Sequence, residues 1–341
     1  MLLQAGARSR VAVILNQNAR GVRPEIVERL GRLVPERDLF VSRHVSDSRK
    51  IARAVVAEAY DGVLFGGGDG TFVQCLSDLV GEADLRELPL PGVGVLRLGT
   101  GNALADALGA SRPTLDGLVS DLRRARGARG EKMLPLLSVD GKLTPFAGCG
   151  LDAQILDDFA RLGERIDELA GEHAQKIGPG LRYALTVAFR STPRFVATRL
   201  PELEIVNDGE DAYRIDWRTG RVLEERPIAR GEVLFRGRAA LCSTSTIPYF
   251  GLRMKMFPYV EARRDRFQLR CSTASAYETL RNLPAVFRGE YRSPRLHDYL
   301  CQAITVRIER PVPFQVGGDL QAGLRDQVEI SLAERPVRLL S

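Results

Sequence analysis

The first third of the chain alternates short apolar runs with stretches in which apolar residues recur every three or four positions. Short apolar runs are typical of buried strands, and the longer spacing is typical of helices that pack on one side. Strands are predicted at 11–15, 38–42, 62–65 and 92–98, and helices at 24–34, at 47–59 and from 71 onward. This alternation predicts an α/β domain with a mostly parallel sheet, spanning residues 1–133.

From about residue 133 the pattern changes to short alternating runs separated by turn residues. These runs are 134–139, 204–206, 233–235, 252–257, 267–271 and 304–308. Their spacing favours an antiparallel β-sandwich over residues 134–319. A helical stretch from 154 to about 189 interrupts the strands, and two turn signals indicate an inserted hairpin or loop at 207–232.

The net charge and the numbers of cysteines and histidines exclude some classes of function. The net charge of +6 is spread along 341 residues, which does not favour a nucleic acid partner and only weakly favours an anionic membrane surface or substrate. The five cysteines are far apart, and with three histidines they show no zinc-binding spacing. We therefore predict a cytoplasmic protein. No apolar run reaches the roughly 20 residues of a membrane span.

The run from Gly66 to Thr71 contains Gly66, Gly67, Gly68, Asp69, Gly70 and Thr71, and it separates a predicted strand from a helix that begins near Phe72. Backbone N–H groups in such a turn point at an anion. A carboxylate among phosphate-binding glycines implies a Mg²⁺ ion, a proton to be removed, or both. The alternative is a glycine-rich connector in which Asp69 caps the following helix.

A second strand–glycine turn–helix pattern follows at 96–105, with Gly99, Thr100 and Asn102 in the turn. Two such turns at the carboxyl ends of parallel strands can face one ligand. The hydroxyl of Thr100 and the amide of Asn102 suit contacts to phosphate oxygens or ribose, although Asn102 is also a common helix-capping residue type.

Five motifs in order resemble the diacylglycerol kinase catalytic-domain family, which includes bacterial lipid kinases and the sphingosine and ceramide kinases and is distantly similar to NAD kinases. They are a first loop at 15–21, Ser42 at the end of the second strand, the run 66–71, the third loop at 98–105, and the element 150–153. The chain has no G-x-x-x-x-G-K-[ST] motif, which argues against a P-loop kinase.

The resemblance implies a three-layer α/β nucleotide domain, a β-sandwich lipid domain, and a chain end, from about 320 to 341, that returns to the first domain. It implies a crevice between the domains in which ATP, with Mg²⁺, donates its γ-phosphoryl group to a lipid hydroxyl at a membrane surface. The enzyme would be peripheral to the inner face of the membrane, and a homodimer is compatible with the family. The residues that would hold ATP are Asn16, Gln17, Asn18, Ala19, Arg20, Ser42, Gly66, Gly67, Gly68, Asp69, Gly70, Thr71, Phe72, Gly99, Thr100 and Asn102.

The proton acceptor implied by the resemblance is Asp319, in the run Gly317-Gly318-Asp319. The family motif there is Asp-Gly-Glu, so Asp319 keeps the carboxylate but is one methylene shorter, and Gly317 replaces an aspartate. General-base geometry is demanding, so the shorter side chain would slow the reaction unless the loop compensates. Asp69 is a rival base, as in related sphingosine kinases.

Three further positions have two interpretations each. Asp152 would recognise the lipid headgroup or cap a helix. A structural Mg²⁺ loop of some bacterial members matches Ala262, Asp265 and Phe267, but three arginines crowd that loop, and a solvated turn acid is the simpler interpretation. The run 249–257 resembles a membrane-touching segment, and its alternation favours a half-buried strand.

We therefore expect an ATP- and Mg²⁺-dependent lipid kinase. The alternatives are a catalytically impaired regulator that binds lipid or nucleotide, which the altered motif at 317–319 motivates, and an NAD kinase, against which the third loop argues.

Overall fold

A computed structural model describes residues 9–99, 101–127, 132–150, 153, 200–251 and 253–340. Thr100, Asp152 and the predicted helical stretch 154–189 lie outside these residues. The chain divides into two compact units, one formed by Met1–Leu134 with Glu334–Ser341 and the other by Pro135–Ala333.

The first unit is built on a four-stranded parallel sheet with the strand order β2-β1-β3-β4. Its strands are β1 (Val11–Asn16), β2 (Leu39–Ser42), β3 (Gly62–Gly67) and β4 (Gly92–Arg97). The apolar runs of β1, β3 and β4 are largely buried, as expected of a sheet covered on both faces, whereas the apolar residues of the edge strand β2 are half-buried. The predicted parallel α/β fold is confirmed.

Helices cover both faces of this sheet. The helices are α1 (Pro24–Leu33), α2 (Val45–Ala57), α3 (Asp69–Leu85), α4 (Ala103–Ala107) and α5 (Leu115–Gly127). One core cluster joins alternate residues of β1 to apolar residues of α1 and α5, such as Leu30 and Leu122. On α3, Phe72 meets Phe65 of β3 edge to face, with ring centroids 5.4 Å apart. The layers hold the carboxyl ends of the strands in place.

The second unit contains two antiparallel sheets, with the orders β10-β14-β13-β12-β8-β16-β17 and β11-β9-β15-β18-β6-β7. The strands up to residue 245 are β6 (Leu137–Val139), β7 (Lys142–Thr144), β8 (Phe146–Gly150), β9 (Glu202–Asn207), β10 (Tyr213–Arg214), β11 (Val233–Arg238) and β12 (Leu241–Ser245). The later ones are β13 (Phe267–Ser272), β14 (Leu296–Cys301), β15 (Ala303–Val312), β16 (Phe314–Val316), β17 (Asp319–Leu320) and β18 (Arg325–Leu332). Two short helices, α6 (Ala276–Arg281) and α7 (Leu283–Arg288), lie between β13 and β14. The predicted antiparallel β-rich second half is confirmed.

The chain end returns to the first unit, but later than predicted. Strand β18 pairs with β15 and β6 and buries Val328 and Ile330, so it belongs to the second unit. The returning segment is Glu334–Ser341. In it, β19 (Val337–Arg338) pairs with β5 (Met133–Leu134), and Leu339 bridges to Val93 of β4.

The run predicted as a strand at 252–257 is not a strand: in its described part, residues 253–257 form a turn and irregular backbone. Met254 and Phe257 are nevertheless buried, and the Phe257 ring lies 6.3 Å from that of Phe250. The alternation of this run therefore reflects the burial of Met254 and Phe257 without strand pairing. Within the described residues, no helix is both long and apolar enough to cross a bilayer.

Candidate active site

Three loops follow the carboxyl ends of β1, β3 and β4, and they pack against each other through glycines. A Cβ atom added to Gly99 would lie 2.4 Å from the Cα atom of Gly68, and one added to Gly21 would lie 2.5 Å from the carbonyl oxygen of Leu98. The obstructing atoms belong to the backbone, so they have little room to move. The glycines predicted to hold phosphate thus also allow the loops to approach each other.

The first loop is joined to the start of α3 by side chains. Asn16 Nδ2 donates a hydrogen bond of 2.9 Å to Thr71 Oγ1, and Asn16 Oδ1 accepts one from the backbone N–H of Asn18, also at 2.9 Å. A Cβ atom on Gly67 would come within 2.5 Å of Thr71 Oγ1. Asn16 and Thr71, predicted separately as nucleotide contacts, are therefore brought together and fix the geometry between two loops.

Asp69 is the first residue of α3, and its carboxylate binds the start of α4. Oδ2 accepts a hydrogen bond from the N–H of Ala103 at 3.1 Å, and Oδ1 accepts one from the N–H of Leu104 at 3.0 Å. Asn102, which has a positive φ of 53°, accepts from the N–H of Gly99 and donates back to its carbonyl. Asp69 thus caps a helix other than its own and ties the second and third loops together.

The loop after β2 lies beside the first loop. Ser42 is buried, and its carbonyl oxygen accepts a hydrogen bond of 2.9 Å from the N–H of Gln17. Arg43 donates from Nε to Gln17 Oε1 at 3.1 Å, and its carbonyl accepts from Asn18 Nδ2 at 2.8 Å. Arg43 and Arg20 are exposed, which places two cations on these loops. Cations and backbone N–H groups together suit a polyphosphate.

Sequence reasoning missed Arg43 and a second arginine, Arg97, at the end of β4. Arg97 Nη1 contacts Asp106 Oδ1 of α4 at 2.6 Å, and its guanidinium also donates to the carbonyl oxygen of Ala110. The ion pair secures α4 from the sheet side, while Asp69 caps its other end. A basic residue at the end of a strand gives no signal of such a partner, because the pairing depends on where the following helix lies.

Asp319 lies in the second unit, directly after a tight turn at the edge of the seven-stranded sheet. Val316 of β16 pairs with Asp319 of β17, and the two turn residues between them, Gly317 and Gly318, have φ values of 61° and 86°. Two consecutive positive φ values define a type I′ hairpin, which favours glycine at both positions. The N–H of Gly317 donates to the carbonyl oxygen of Phe146, which anchors the turn to β8.

The Asp319 carboxyl is accessible to solvent, yet the protein around it reduces its hydration and raises its pKa above the ordinary value for aspartate. The positive charge of Lys142 opposes this rise. An accessible carboxylate with a raised pKa is suited to accept a proton.

The predicted structural Mg²⁺ loop holds its acid, Asp265, against two arginines. The Asp265 carboxylate accepts a hydrogen bond of 2.8 Å from Arg266 Nη1 and lies 3.6 Å from Arg263 Nε. Arg266 is only 4% exposed and also contacts Glu210 at 3.1 Å. The guanidinium groups supply the positive charge that the metal would supply. These contacts favour the turn-acid interpretation, and Mg²⁺ binding by Ala262, Asp265 and Phe267 stays an untested prediction. Among the described residues, no group of three or more His, Cys, Asp or Glu side chains is arranged to hold a metal.

The sequence of the first unit is similar to that of a known family. Residues 10–130, which include the loops after β1, β2, β3 and β4, match the family model for the diacylglycerol kinase catalytic domain. This part of the chain is similar to diacylglycerol kinase catalytic domains. The resemblance deduced from the motifs is confirmed for this part of the chain.

Solved structures extend the likeness of fold to nearly the whole chain. A protein from Bacillus anthracis str. Sterne that is proposed to be a diacylglycerol kinase has a TM-score of 0.61 and 16% identity, over 96% of this chain and 94% of its own. Another structure, of a diacylglycerol kinase from Bacillus anthracis str. Sterne, has a TM-score of 0.57 and 14% identity, over 95% and 94% of the two chains. At these identities the likeness shows a shared fold. No functionally curated protein matches the chain at a significant level.

Proposed function

We propose that the protein is an ATP-dependent lipid kinase that transfers the γ-phosphoryl group of ATP to a hydroxyl of a glycerol- or sphingoid-type lipid. The observation that carries this proposal is the packing of three glycine loops, in the part of the chain similar to diacylglycerol kinase catalytic domains, at the carboxyl ends of β1, β3 and β4. Parallel α/β sheets bind ligands at that edge.

In this proposal, the first unit binds the nucleotide. Backbone N–H groups of the glycine loops contact the phosphate oxygens, and the exposed Arg20 and Arg43 add positive charge. Mg²⁺ would arrive with the phosphates and neutralise their charge, and Asp69 and Thr71 offer oxygen atoms of the kind that Mg²⁺ prefers. Asp69 already orients the third loop through α4, so its main role is positioning.

The second unit supplies the base. The Asp319 carboxylate accepts the proton of the lipid hydroxyl, and the hydroxyl oxygen forms a bond to the γ-phosphorus. The bond from that phosphorus to the β,γ-bridging oxygen breaks, and ADP leaves with the electron pair. The raised pKa of Asp319 supports this role, because a stronger base takes the proton more readily. Membrane lipids as acceptors would bring the enzyme to a membrane surface.

The test is a transfer assay with labelled ATP. Purified protein is incubated with a panel of diacylglycerol, monoacylglycerol, sphingosine and ceramide in mixed micelles, and NAD is included as a competing acceptor class. We expect one lipid class to be labelled, and Asp319→Asn to lower kcat by about 10²–10⁴-fold. Asp326→Asn, an exposed acid on β18, is the matched control and should behave as wild type. Labelling of NAD alone, or of nothing, would overturn the proposal.

One observation favours a second candidate, a regulator with an impaired site: Asp319 is shorter than the family's glutamate, and Gly317 lacks its charge. The double variant Gly317→Asp, Asp319→Glu distinguishes the two. Aspartate tolerates the positive φ of position 317, so the hairpin should survive. An increase in lipid phosphorylation of more than about tenfold would mean an impaired natural site, whereas unchanged or lower activity supports the working enzyme.

A further inference from the structure

Two tight hairpins of the second unit lie at the edges of different sheets. One is the base hairpin, defined as residues 316–319, at the end of the seven-stranded sheet. The other joins β6 to β7, the last strands of the six-stranded sheet, and pairs Val139 with Lys142. Its turn residues, Asp140 and Gly141, also have positive φ values, of 49° and 76°. Both are therefore rigid type I′ turns.

The two hairpins are joined by a short chain of hydrogen bonds. Lys142 Nζ donates to Gln321 Oε1 at 2.6 Å, and Gln321 Nε2 donates to the carbonyl oxygen of Asp319 at 3.0 Å. The N–H of Gln321 donates to the carbonyl oxygen of Phe314 at 2.9 Å, which fixes Gln321 against β16. A half-buried lysine thus reaches the backbone of Asp319 through one amide side chain.

The other side of the base hairpin is held independently. Gln315 is fully buried, and its Oε1 accepts a hydrogen bond of 3.0 Å from the N–H of Gly318. The N–H of Gly317 is bound to β8. The Lys142–Gln321 contact adds to the pairing of β17 with β16 in holding the strand that carries Asp319.

We propose that Lys142 is a positioning residue for Asp319: it holds the base hairpin, through Gln321, from the edge of the other sheet. This inference rests on the proposed function of Asp319 as the proton acceptor. It adds Lys142 as the residue that positions Asp319.

The charges around Asp319 agree with this assignment. Of the described residues, Lys142 is the charged group whose field acts on the Asp319 carboxyl. Asp140, on the same hairpin as Lys142, is paired with Arg325 at 3.1 Å, so its negative charge is largely compensated. Reduced hydration favours the protonated carboxyl, and the Lys142 ammonium favours the carboxylate. Lys142 therefore keeps the base ionised at a lower pH than the surroundings alone would allow.

The experiment measures the Asp319 pKa directly and the pH dependence of the kinase in parallel. Carboxyl ¹³C NMR of aspartate-labelled protein, with the Asp319 signal assigned from Asp319→Asn, gives the titration without any need for activity. The variants are Lys142→Met, Lys142→Arg and Gln321→Ala. Lys132→Met removes the same charge from an exposed lysine of the first unit and is the matched control. Circular dichroism and thermal melting show that each variant is folded.

In Lys142→Met, we expect the Asp319 pKa to rise by about half a unit or more, and the acidic limb of the kinase pH profile to move up by the same amount. Lys142→Arg keeps the charge and should restore both values, and Lys132→Met should change neither. Gln321→Ala should lower kcat several-fold with KM for ATP unchanged, and should shift the titration less than Lys142→Met.

A folded Lys142→Met protein with an unshifted Asp319 titration and an unshifted pH profile would overturn the inference. A protein that phosphorylates no lipid in any variant would overturn the proposed function instead. The NMR titration would then still decide whether Lys142 acts on Asp319.

Discussion

At the scale of single residues, the candidate site depends on what a side chain would meet at each glycine. Gly99 packs on the backbone of Gly68, whereas Gly31, inside α1, has open space around it. The two positions therefore separate the effect of close packing from the general preference of helices for alanine.

We predict that Gly99→Ala destabilises the protein by about 2 kcal/mol, because the new methyl group would lie 2.4 Å from the Gly68 Cα atom and force the two loops apart. Because the loops move apart in Gly99→Ala, the affinity of this variant for ATP should also fall at least tenfold. Gly31→Ala should stabilise by about 0.5–1 kcal/mol and leave ATP binding unchanged. Urea unfolding and calorimetric titration measure both effects. Normal ATP affinity in Gly99→Ala would show that the loops do not form the nucleotide site.

Asp319 leads to a prediction about pH. A base acts only when deprotonated, so kcat/KM should fall as the pH drops through the Asp319 pKa, which lies above the ordinary aspartate value. In Asp319→Asn the remaining activity should lose this acidic limb, while ATP affinity stays as in wild type. A pH–rate series with the preferred lipid measures this. An acidic limb that persists unchanged in Asp319→Asn would assign the titration to another group, with Asp69 as the first to test.

Some single-residue roles were beyond sequence reasoning. The glycine run predicted an anion site around Asp69, but the partners of its carboxylate, the N–H groups of Ala103 and Leu104, lie more than 30 positions away and depend on how two loops pack. Gly317 read as a departure from the family motif. In the structure it occupies the first position of a type I′ turn, where its positive φ explains the residue type.

At the scale of secondary-structure elements, the hydrophobic periodicity predicted the parallel strands well. It failed where residues are buried but do not pair with another strand. Strands β1, β3 and β4 are buried on both faces, so their sequences are continuous apolar runs. The run 253–257 buries Met254 and Phe257 without pairing, and alternation cannot distinguish that from a strand. Strand β18 was placed in the returning tail by the family resemblance, whereas its pairing with β15 and β6 puts it in the second unit.

At this scale, we predict how the turn before β13 contributes to the free energy of unfolding. Arg266 holds the turn through Asp265, Glu210 and the carbonyl oxygen of Asp211. Arg266→Met should destabilise by roughly 1–3 kcal/mol through the loss of charge-assisted hydrogen bonds, and the cost stays moderate because both acids remain solvated. Arg264, in the same turn, is exposed. Arg264→Met should therefore change the free energy of unfolding by less than about 0.5 kcal/mol. Urea unfolding with and without Mg²⁺ measures this. Equal stability of Arg266→Met and wild type would show that the guanidinium does not hold the turn.

At the scale of the whole molecule, the two units have different proposed tasks: the first holds the nucleotide, and the second carries the proton acceptor and the lipid. The sequence predicted this division from the change of pattern near residue 133. It did not predict Lys142 or Gln321, because the contact between them joins the edges of two sheets whose strands are almost 180 residues apart.

The division predicts how ligands change the stability of the intact protein. ATP with Mg²⁺ binds only the folded state, so at 100 times its Kd it should raise the free energy of unfolding by about 2.7 kcal/mol and raise Tm accordingly. EDTA should cancel this gain. Without nucleotide, EDTA should leave Tm unchanged, because guanidinium groups occupy the predicted structural metal loop. Asp319→Asn should keep the full ATP-dependent rise and Gly99→Ala should lose most of it, so thermal melts of the two variants separate nucleotide binding from proton transfer. A fall in Tm with EDTA alone would show a resident metal ion and would overturn the account of Arg266.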